Sequence, residues 1–380
     1  MTSHLIIGNG AAGTTAAEQI RKHDPHAEIT MITKESLPLY SRIRIPEFLS
    51  GKIQEQALII KDLPWHEQRN INLITETIVS QINYKNKTAV SQEGTTFSYD
   101  TLLLATGSNS FIPPVKGSDK KGVFTLRTAA DARALAAIDT NEKEMVLIGG
   151  GLLGLEAAAA MVSKGKRVTV VEFFDRLLPR QLDNEGAKRL QVLLENMGFA
   201  FRLGEITREI CGKDRVEGVT LKSGETLKAH AVLFSAGVRS EMSLVADSGI
   251  ETDRGIVVNE QMETSLTGVY AAGDVAQFDD INFCIWPEAV EQGRVAGINM
   301  AGGQATFKNI PPSNVLKVAG IALASAGNID VEGKMHSDIV ATDTTYEKIV
   351  KNDDGTIIGC IMLGDTTSFN KILKQIKGDQ

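Results

Sequence analysis

Cysteine is scarce in this chain. Three occur in 380 residues, Cys211, Cys284 and Cys360. They form no CxxC pair, no metal-ligand spacing and no disulfide framework, which points to a reducing compartment, the cytoplasm. The six histidines also lack metal-ligand spacing, so no metal site is expected. Long apolar runs are missing: none approaches the roughly 20 residues needed to span a bilayer. The apolar residues 5–7 follow Met1 with no basic lead or cleavage site, so neither a membrane span nor a signal peptide is expected. Basic excess is missing too. Forty Lys and Arg against 47 Asp and Glu leave a formal charge of −7, which argues against nucleic acid as a bulk partner, because a phosphate backbone selects clustered cations. There is no low-complexity tract, and a chain 42% apolar and 23% charged has the composition of a soluble globular protein.

Glycine is plentiful, at 35 residues, which suits a fold with several tight phosphate-binding turns. The length fits about two or three domains. The glycines punctuate an internal repeat. Its first copy runs from an apolar strand at 4–7, through Gly8-Asn9-Gly10-Ala11-Ala12-Gly13, into a helix ending near residue 22, with a second strand at 28–33. Its second copy starts with a strand at 145–148, then Gly149-Gly150-Gly151-Leu152-Leu153-Gly154, an Ala-rich helix to about residue 164 and a strand at 167–172. Each copy continues into three short alternating stretches, 77–82, 88–91 and 96–98 in the first and 205–210, 217–221 and 226–228 in the second. Turn residues separate them, so each set predicts a three-stranded antiparallel meander. Each copy then closes with an apolar strand on a glycine turn, at 102–107 and 232–237. Two doubly wound α/β dinucleotide-binding domains follow from this plan.

A GxGxxG loop has a physical reason for each glycine. The first (Gly8, Gly149) makes the tight turn, and the second (Gly10, Gly151) lets backbone approach a pyrophosphate. The third (Gly13, Gly154) lets helix and strand pack closely, while the helix N-terminus faces the phosphate charge. One such loop alone is weak; two, each between a strand and a helix, are strong. An acid about 20 residues further on should accept from ribose hydroxyls. In the second copy Glu172 stands 18 residues after Gly154, and its charge would repel a 2′-phosphate. Phe173 and Phe174 follow, with no adjacent arginine, although Arg176 is close; NADH is expected over NADPH. In the first copy Thr33 occupies the acid's usual position and Glu35 is the nearest carboxylate. Glu35 is assigned to a ribose, the alternative being a solvated loop acid.

A third signal is the segment Thr264-Ser265-Leu266-Thr267-Gly268-Val269-Tyr270-Ala271-Ala272-Gly273-Asp274, followed by a helix over 286–302. The two glycine loops, Leu104-Ala105-Thr106-Gly107-Ser108 and Tyr270-Ala271-Ala272-Gly273-Asp274 together resemble the pyridine nucleotide–disulfide oxidoreductase family of flavoproteins, over the whole chain. The resemblance implies that the first loop binds FAD and the second NAD(P)H, and that the FAD domain is discontinuous, with the NAD domain inserted in it. The expected domains are 1–112 and 242–310 for FAD, 113–241 for NAD(H), and a small C-terminal α/β cap at 311–380. The cap is read as strands at 317–323, 346–351 and 356–363 with a helix at 368–377. Carried over by position, Gly8, Gly10, Ala12, Gly13, Glu35, Arg42, Val79, Thr106, Gly107, Arg127, Asp274 and Trp286 are FAD-binding candidates. Gly149, Gly151, Gly154, Glu156, Glu172 and Gly237 are the NADH candidates. For Glu156 the alternative is a helix-surface acid.

Many members of the family place a CxxxxC pair, or one cysteine, beside the flavin. The corresponding stretch, residues 37–49, has none. Without a thiolate there, disulfide exchange and sulfenate chemistry have no nucleophile, and electrons must leave the flavin directly. Leu126-Arg127-Thr128-Ala129-Ala130-Asp131-Ala132 and Trp286-Pro287-Glu288-Ala289-Val290-Glu291-Gln292-Gly293-Arg294 resemble the oxygenase-coupled ferredoxin reductases. Pro38-Leu39-Tyr40-Ser41-Arg42, Leu316-Lys317-Val318-Ala319-Gly320-Ile321 and Gly359-Cys360-Ile361-Met362-Leu363-Gly364-Asp365-Thr366 resemble the NADH:rubredoxin reductases and the flavin region of assimilatory nitrite reductase. With the sequence ending at Gln380 and no siroheme part, a stand-alone NADH:rubredoxin reductase is expected. The partner would be rubredoxin or a similar small iron protein, and the short cap suggests a monomer or weak dimer. The rival readings are an NADH oxidase reducing O₂ and a slowly turning flavin redox sensor. Ferredoxin reductases place a lysine near the flavin N5, where Glu47 stands here; Arg42 or Arg44 could supply charge instead, the alternative for both being a solvated loop. Lys308 and Lys317 join them as candidate docking cations. No catalytic side chain is identified. Cys284 is read as a small buried hydrophobe, and His66 as structural.

Overall fold

The computed structural model describes residues 1–308 and 313–378, with backbone alone for 313–316 and 377. The chain divides into two compact units: residues 1–42, 54–109 and 238–309, and residues 43–53, 110–237 and 310–380. The boundary expected at 310/311 lies outside the described residues.

The first unit is built on a parallel five-stranded sheet in the order Val269–Ala271, Thr101–Leu104, Ser3–Ile7, Glu28–Ile32, Ile71–Ile74. Its central strands are continuous apolar runs, as a parallel sheet covered on both faces requires; Ile6, Leu102, Leu103 and Met31 are fully buried. The helices Ala11–His23 and Trp286–Met300 pack backbone to backbone. A Cβ on Gly293 would strike the carbonyl of Ala12, and one on Gly297 that of Ala16. The meander Val79–Asn83, Thr88–Ser91, Thr96–Ser98 is antiparallel, with a register shift after Val79.

The second unit repeats the plan. Its parallel sheet runs Phe199–Leu203, Arg167–Glu172, Glu144–Ile148, Ala231–Phe234, Val123–Thr125. Its meander is Thr207–Cys211, Gly218–Leu221, Thr226–Lys228. The C-terminal part is a five-stranded antiparallel sheet in the order Ser313–Val318, Ile321–Gly327, Ile357–Leu363, Tyr346–Lys351, His336–Ala341, with the helix Phe369–Lys377 against it.

This corrects the expected cap. Residues 317–323 are not one strand but two, joined by a two-residue turn in which Ala319 (φ 52°) and Gly320 (φ 88°) are both left-handed. The edge strand His336–Ala341 was not anticipated. Asp183, the N-cap of the helix Asn184–Asn196, belongs to a buried charge cluster with residues of the C-terminal sheet. Lys348 Nζ lies 3.2 Å from Asp183 Oδ2 and 3.6 Å from Asp330 Oδ2, and donates to the Asp330 carbonyl at 2.8 Å. The Tyr346 hydroxyl donates to Asp183 at 2.8 Å. No helix among the described residues is long and apolar enough to cross a membrane.

Candidate functional site

Each unit contains one glycine cradle. In the first, Gly8 has φ 112°, and a Cβ there would collide with the Ala105 carbonyl. Its N–H is held by the Ile32 carbonyl at 2.8 Å. A Cβ on Gly13 would collide with the Gly8 carbonyl. Gly10, by contrast, has nothing within 4 Å of its Cβ position. It caps the helix Ala11–His23 with no side-chain hydrogen bond, and no acid stands in the first turn. The helix therefore presents its orphan N–H groups and positive dipole end to an open space, which is what an anion requires. The second cradle matches. Gly149 has φ 103° and abuts the Ser235 carbonyl, Gly154 packs on Gly149 and Ser235, and Gly151 is open. The helix Leu152–Ser163 likewise starts with no side-chain cap and no acid in its first turn.

Glu172 ends its strand 7% exposed. It accepts from the Gly150 N–H at 2.5 Å through Oε2 and from the Phe174 N–H at 2.9 Å through Oε1. The carboxylate thus braces the glycine loop itself, and the lone pairs left over are those available to a ribose. Glu35 is also engaged: Tyr40 Oη donates to Oε2 at 2.5 Å, and the Arg42 guanidinium pairs with Oε1. Arg42 stacks over the Tyr40 ring at 5.1 Å. Its pKa is raised: burial works against the charge, but Tyr40 and Glu35 outweigh it. Arg42 is therefore an ion-paired group rather than a solvated loop cation.

Around the third motif, Asp274 accepts from Ser108 Oγ at 2.8 Å, and its carbonyl accepts from Ser240 Oγ at 2.9 Å. Gly273, at φ 82°, donates its N–H to Gln292 Oε1 at 2.8 Å. Thr106 Oγ1 donates to the Glu241 carbonyl at 2.8 Å. Gly107 (φ 72°) and Gly237 (φ 91°) take left-handed turns that favour glycine. Val79 is buried at the start of its strand, and Trp286 opens its helix half-buried. One turn before Gln292, Glu288 is 8% exposed, and its Oε2 has no hydrogen-bond partner. A buried acceptor without a donor fits a ligand rich in hydroxyl or N–H groups. The open cradle, Asp274 and Glu288 together suit a ligand that carries a phosphate group and several hydroxyl or N–H donors.

Of the residues assigned to FAD, Arg127 lies in the second unit and the others in the first. Arg127 is half-buried beside a capping box, with its own N–H donating to Asp131 Oδ2 at 2.9 Å. Glu156 is half-buried, and its Oε1 accepts the Ala319 N–H at 2.8 Å. Burial raises its pKa. Arg44 pairs with Glu47 at 2.9 Å, so Glu47 is an arginine's counter-ion. Cys211 Sγ lies 3.1 Å from Thr220 Oγ1; Cys360 is fully buried, which pushes its thiol up to about 11. Cys284 is half-buried, not fully buried as expected, and is left-handed at φ 52°. Among the described residues, no group of three or more His, Cys, Asp and Glu could hold a metal. His66 is buried, its Nδ1 2.7 Å from the Asp62 carbonyl. Sequence reasoning did not single out Tyr40, Ser108 and Gln292 as partners, although all three stand inside the quoted motifs.

Residues 2–305 match the family described as pyridine nucleotide-disulphide oxidoreductase. The chain belongs to that family. Membership implies use of a flavin and of NAD(P)H in an oxidoreductase. Residues 312–380 match the rubredoxin NAD+ reductase C-terminal domain. A nitrite reductase [NAD(P)H] of Bacillus subtilis is 36% identical over 377 residues, covering 98% of this chain and 47% of its own length. The chain spans about half the length of the two Bacillus subtilis relatives it matches, 47% and 49%. An NADH oxidase of Methanocaldococcus jannaschii is 35% identical over 390 residues, covering 95% of this chain and 87% of its own. The crystal structure of NADH:rubredoxin oxidoreductase from Clostridium acetobutylicum aligns with a TM-score of 0.85 at 29% identity, covering 100% of this chain and 96% of that one.

Proposed function

We propose that this protein is an FAD-dependent NADH oxidoreductase that passes electrons to a one-electron iron protein, rubredoxin. The observation that carries the acceptor is the match of residues 312–380 to the rubredoxin NAD+ reductase C-terminal domain. The absence of any cysteine in residues 37–49 supports direct exit of electrons from the flavin.

In this reading residues 1–112 and 242–310 hold FAD, residues 113–241 hold NADH, and the remainder is the C-terminal domain. Gly8, Gly10, Ala12 and Gly13 cradle the FAD pyrophosphate. Glu35 and Arg42 act as one ion-paired unit at its adenosine end, and Thr106, Gly107, Val79, Asp274 and Trp286 line the rest; Arg127 is assigned to FAD by the resemblance alone. Gly149, Gly151 and Gly154 cradle the NADH pyrophosphate, with Glu172 on the ribose and Glu156 and Gly237 beyond. Bound FAD supplies hydride acceptance and single-electron release. The chain's own residues bind and orient the two dinucleotides and shield them from water. Arg42 is paired with Glu35 and Arg44 with Glu47, so an acidic rubredoxin would be met by a lysine, Lys308 or Lys317. The protein works in the cytoplasm as a monomer or weak dimer.

A second reading, NADH oxidase, is favoured by the Methanocaldococcus relative of that name. Stopped-flow reoxidation of the NADH-reduced protein separates them. Fast oxidation by rubredoxin and slow oxidation by O₂ is the expected result. Fast oxidation by O₂ overturns the reductase reading, and slow oxidation by both indicates a sensor.

A further inference from the structure

The turn Ala319-Gly320 is unusual in its residues. A two-residue hairpin turn with both φ values positive is ordinarily Asn-Gly or Asp-Gly. Here alanine takes the first position at φ 52°, a conformation that crowds its Cβ. Its N–H, 163 residues away in sequence from its partner, donates to Glu156 Oε1 at 2.8 Å. Val318, immediately before the turn, is fully buried. Glu156 stands in the second turn of Leu152–Ser163, the helix that opens on the second glycine cradle. That helix packs on the strand Ser313–Val318 and on the short helix Ile45–Ser50. Lys52 and Lys317 are the nearby cations, and Glu47 the nearby anion.

We propose that Glu156 is a positioning residue. Its carboxylate clamps the tip of the Ser313–Val318/Ile321–Gly327 hairpin, and Lys317 with it, to the helix of the second cradle. A strained turn and a half-buried carboxylate each have a cost alone; joined, each satisfies the other. The clamp makes the first hairpin of the C-terminal domain one rigid piece with the cradle helix. Occupancy of the cradle and order at the hairpin tip are then linked. The linkage, though not the clamp, rests on the reading that this cradle takes the nicotinamide coenzyme.

Hydrogen–deuterium exchange of the flavin-loaded protein tests the clamp without any activity measurement. In Glu156→Ala, exchange of the Ala319 amide rises about 10-fold or more, the cost of a hydrogen bond to a charged acceptor. Glu156→Gln, which keeps an acceptor oxygen, restores most of the protection. Ala319→Gly, which relieves the strain and keeps the N–H, stays protected. The linkage predicts that NAD+ further slows exchange at the tip in the wild type and Glu156→Gln but not in Glu156→Ala. It also predicts that Glu156→Ala raises KM for NADH more than it lowers kcat. Unchanged Ala319 exchange in Glu156→Ala overturns the clamp, and so does a Glu156→Gln variant as unprotected as Glu156→Ala. A protein that binds no NAD+ but shows the expected exchange pattern keeps the clamp and loses the coenzyme reading.

Discussion

Replacing Glu172 with glutamine should change two things at once if, as proposed, the side chain holds the ribose as well as the loop. On the proposed reading its charge favours NADH in the wild type: an acceptor for ribose hydroxyls is worth about 1.5–3 kcal/mol, or about 10- to 150-fold in kcat/KM over NADPH. The same two oxygens also take the Gly150 and Phe174 N–H groups, in a side chain only 7% exposed. Glutamine has one acceptor oxygen and an NH₂ group. It can satisfy one of those N–H groups, and its NH₂ must then face the other. A buried donor left without an acceptor costs about 1–3 kcal/mol. For a unit of this size each kcal/mol moves the melting point by about 2–4 °C. The variant should therefore lose most of its preference for NADH and melt roughly 2–12 °C lower, with FAD content unchanged. Steady-state kinetics with both nucleotides and differential scanning calorimetry read the two effects separately. Equal kcat/KM for NADH and NADPH in the wild type would refute the ribose role. A lower melting point with an unchanged nucleotide ratio in Glu172→Gln would reduce Glu172 to a loop brace. An unchanged melting point would refute the bracing argument.

Replacing Cys211 and Cys284 with serine and Cys360 with alanine should leave NADH-dependent reduction of an artificial one-electron acceptor largely intact; a folded, flavin-loaded variant without activity would reveal a redox cysteine. Alanine is chosen at 360 because that side chain is fully buried and a serine hydroxyl there would need a partner. Rubredoxin reduction should slow as salt rises, since charge pairing is screened over about 8–10 Å near physiological ionic strength, while NADH reduction of the flavin changes much less. Charge reversal at Lys308 or Lys317 should raise KM for rubredoxin at unchanged FAD content, and indifference to salt and to both reversals would defeat electrostatic docking. Lys348→Met should destabilise the second unit by about 3–5 kcal/mol, since it leaves Asp183 and Asp330 buried without their shared cation; Tyr346→Phe should cost only about 1 kcal/mol. Chemical denaturation checks the order, and a Lys348→Met variant as stable as the wild type would show that the cluster is solvated.

How far the sequence could be read depended on the distance over which each feature is specified. Part of each cradle is local: Gly13 needs no Cβ because of the Gly8 carbonyl and Gly154 because of that of Gly149, within one strand–turn–helix, whereas Gly8 and Gly149 abut the carbonyls of Ala105 and Ser235, far off in sequence. The glycine spacing alone announced the cradles. The acid position at Glu172 was legible for the same reason. Its bonds to Gly150 and Phe174 were not, because no spacing rule says where a carboxylate's spare lone pairs go. The cap was misread where local preference and tertiary structure disagree. Ala319-Gly320 lacks the Asn-Gly signal of a tight hairpin, so an alternating run around it reads as one strand. In the fold Glu156 holds the N–H of Ala319, and that contact belongs to the fold rather than to the segment.

The same contrast bears on which departures from local rules matter. A left-handed residue other than glycine costs free energy wherever it stands, and several occur here, among them Asn70, Lys87, Cys284 and Ala319. Asn70 is of a type that tolerates the conformation. Ala319 has no such tolerance, and its N–H is held by an ionisable side chain on the helix of the second glycine cradle. Strain at that point persists only if the surrounding structure over-determines it. Two elements are placed to do so: the Glu156 carboxylate bonded to the turn and the buried Val318 before it. Removing the first while keeping the second therefore distinguishes a turn imposed by the core from one imposed by Glu156. If core packing alone sufficed, Ala319 would stay protected in Glu156→Ala and the carboxylate would be free to serve the coenzyme. If the carboxylate is required, Glu156 is committed to the C-terminal domain, and its effect on catalysis runs through the position of that hairpin.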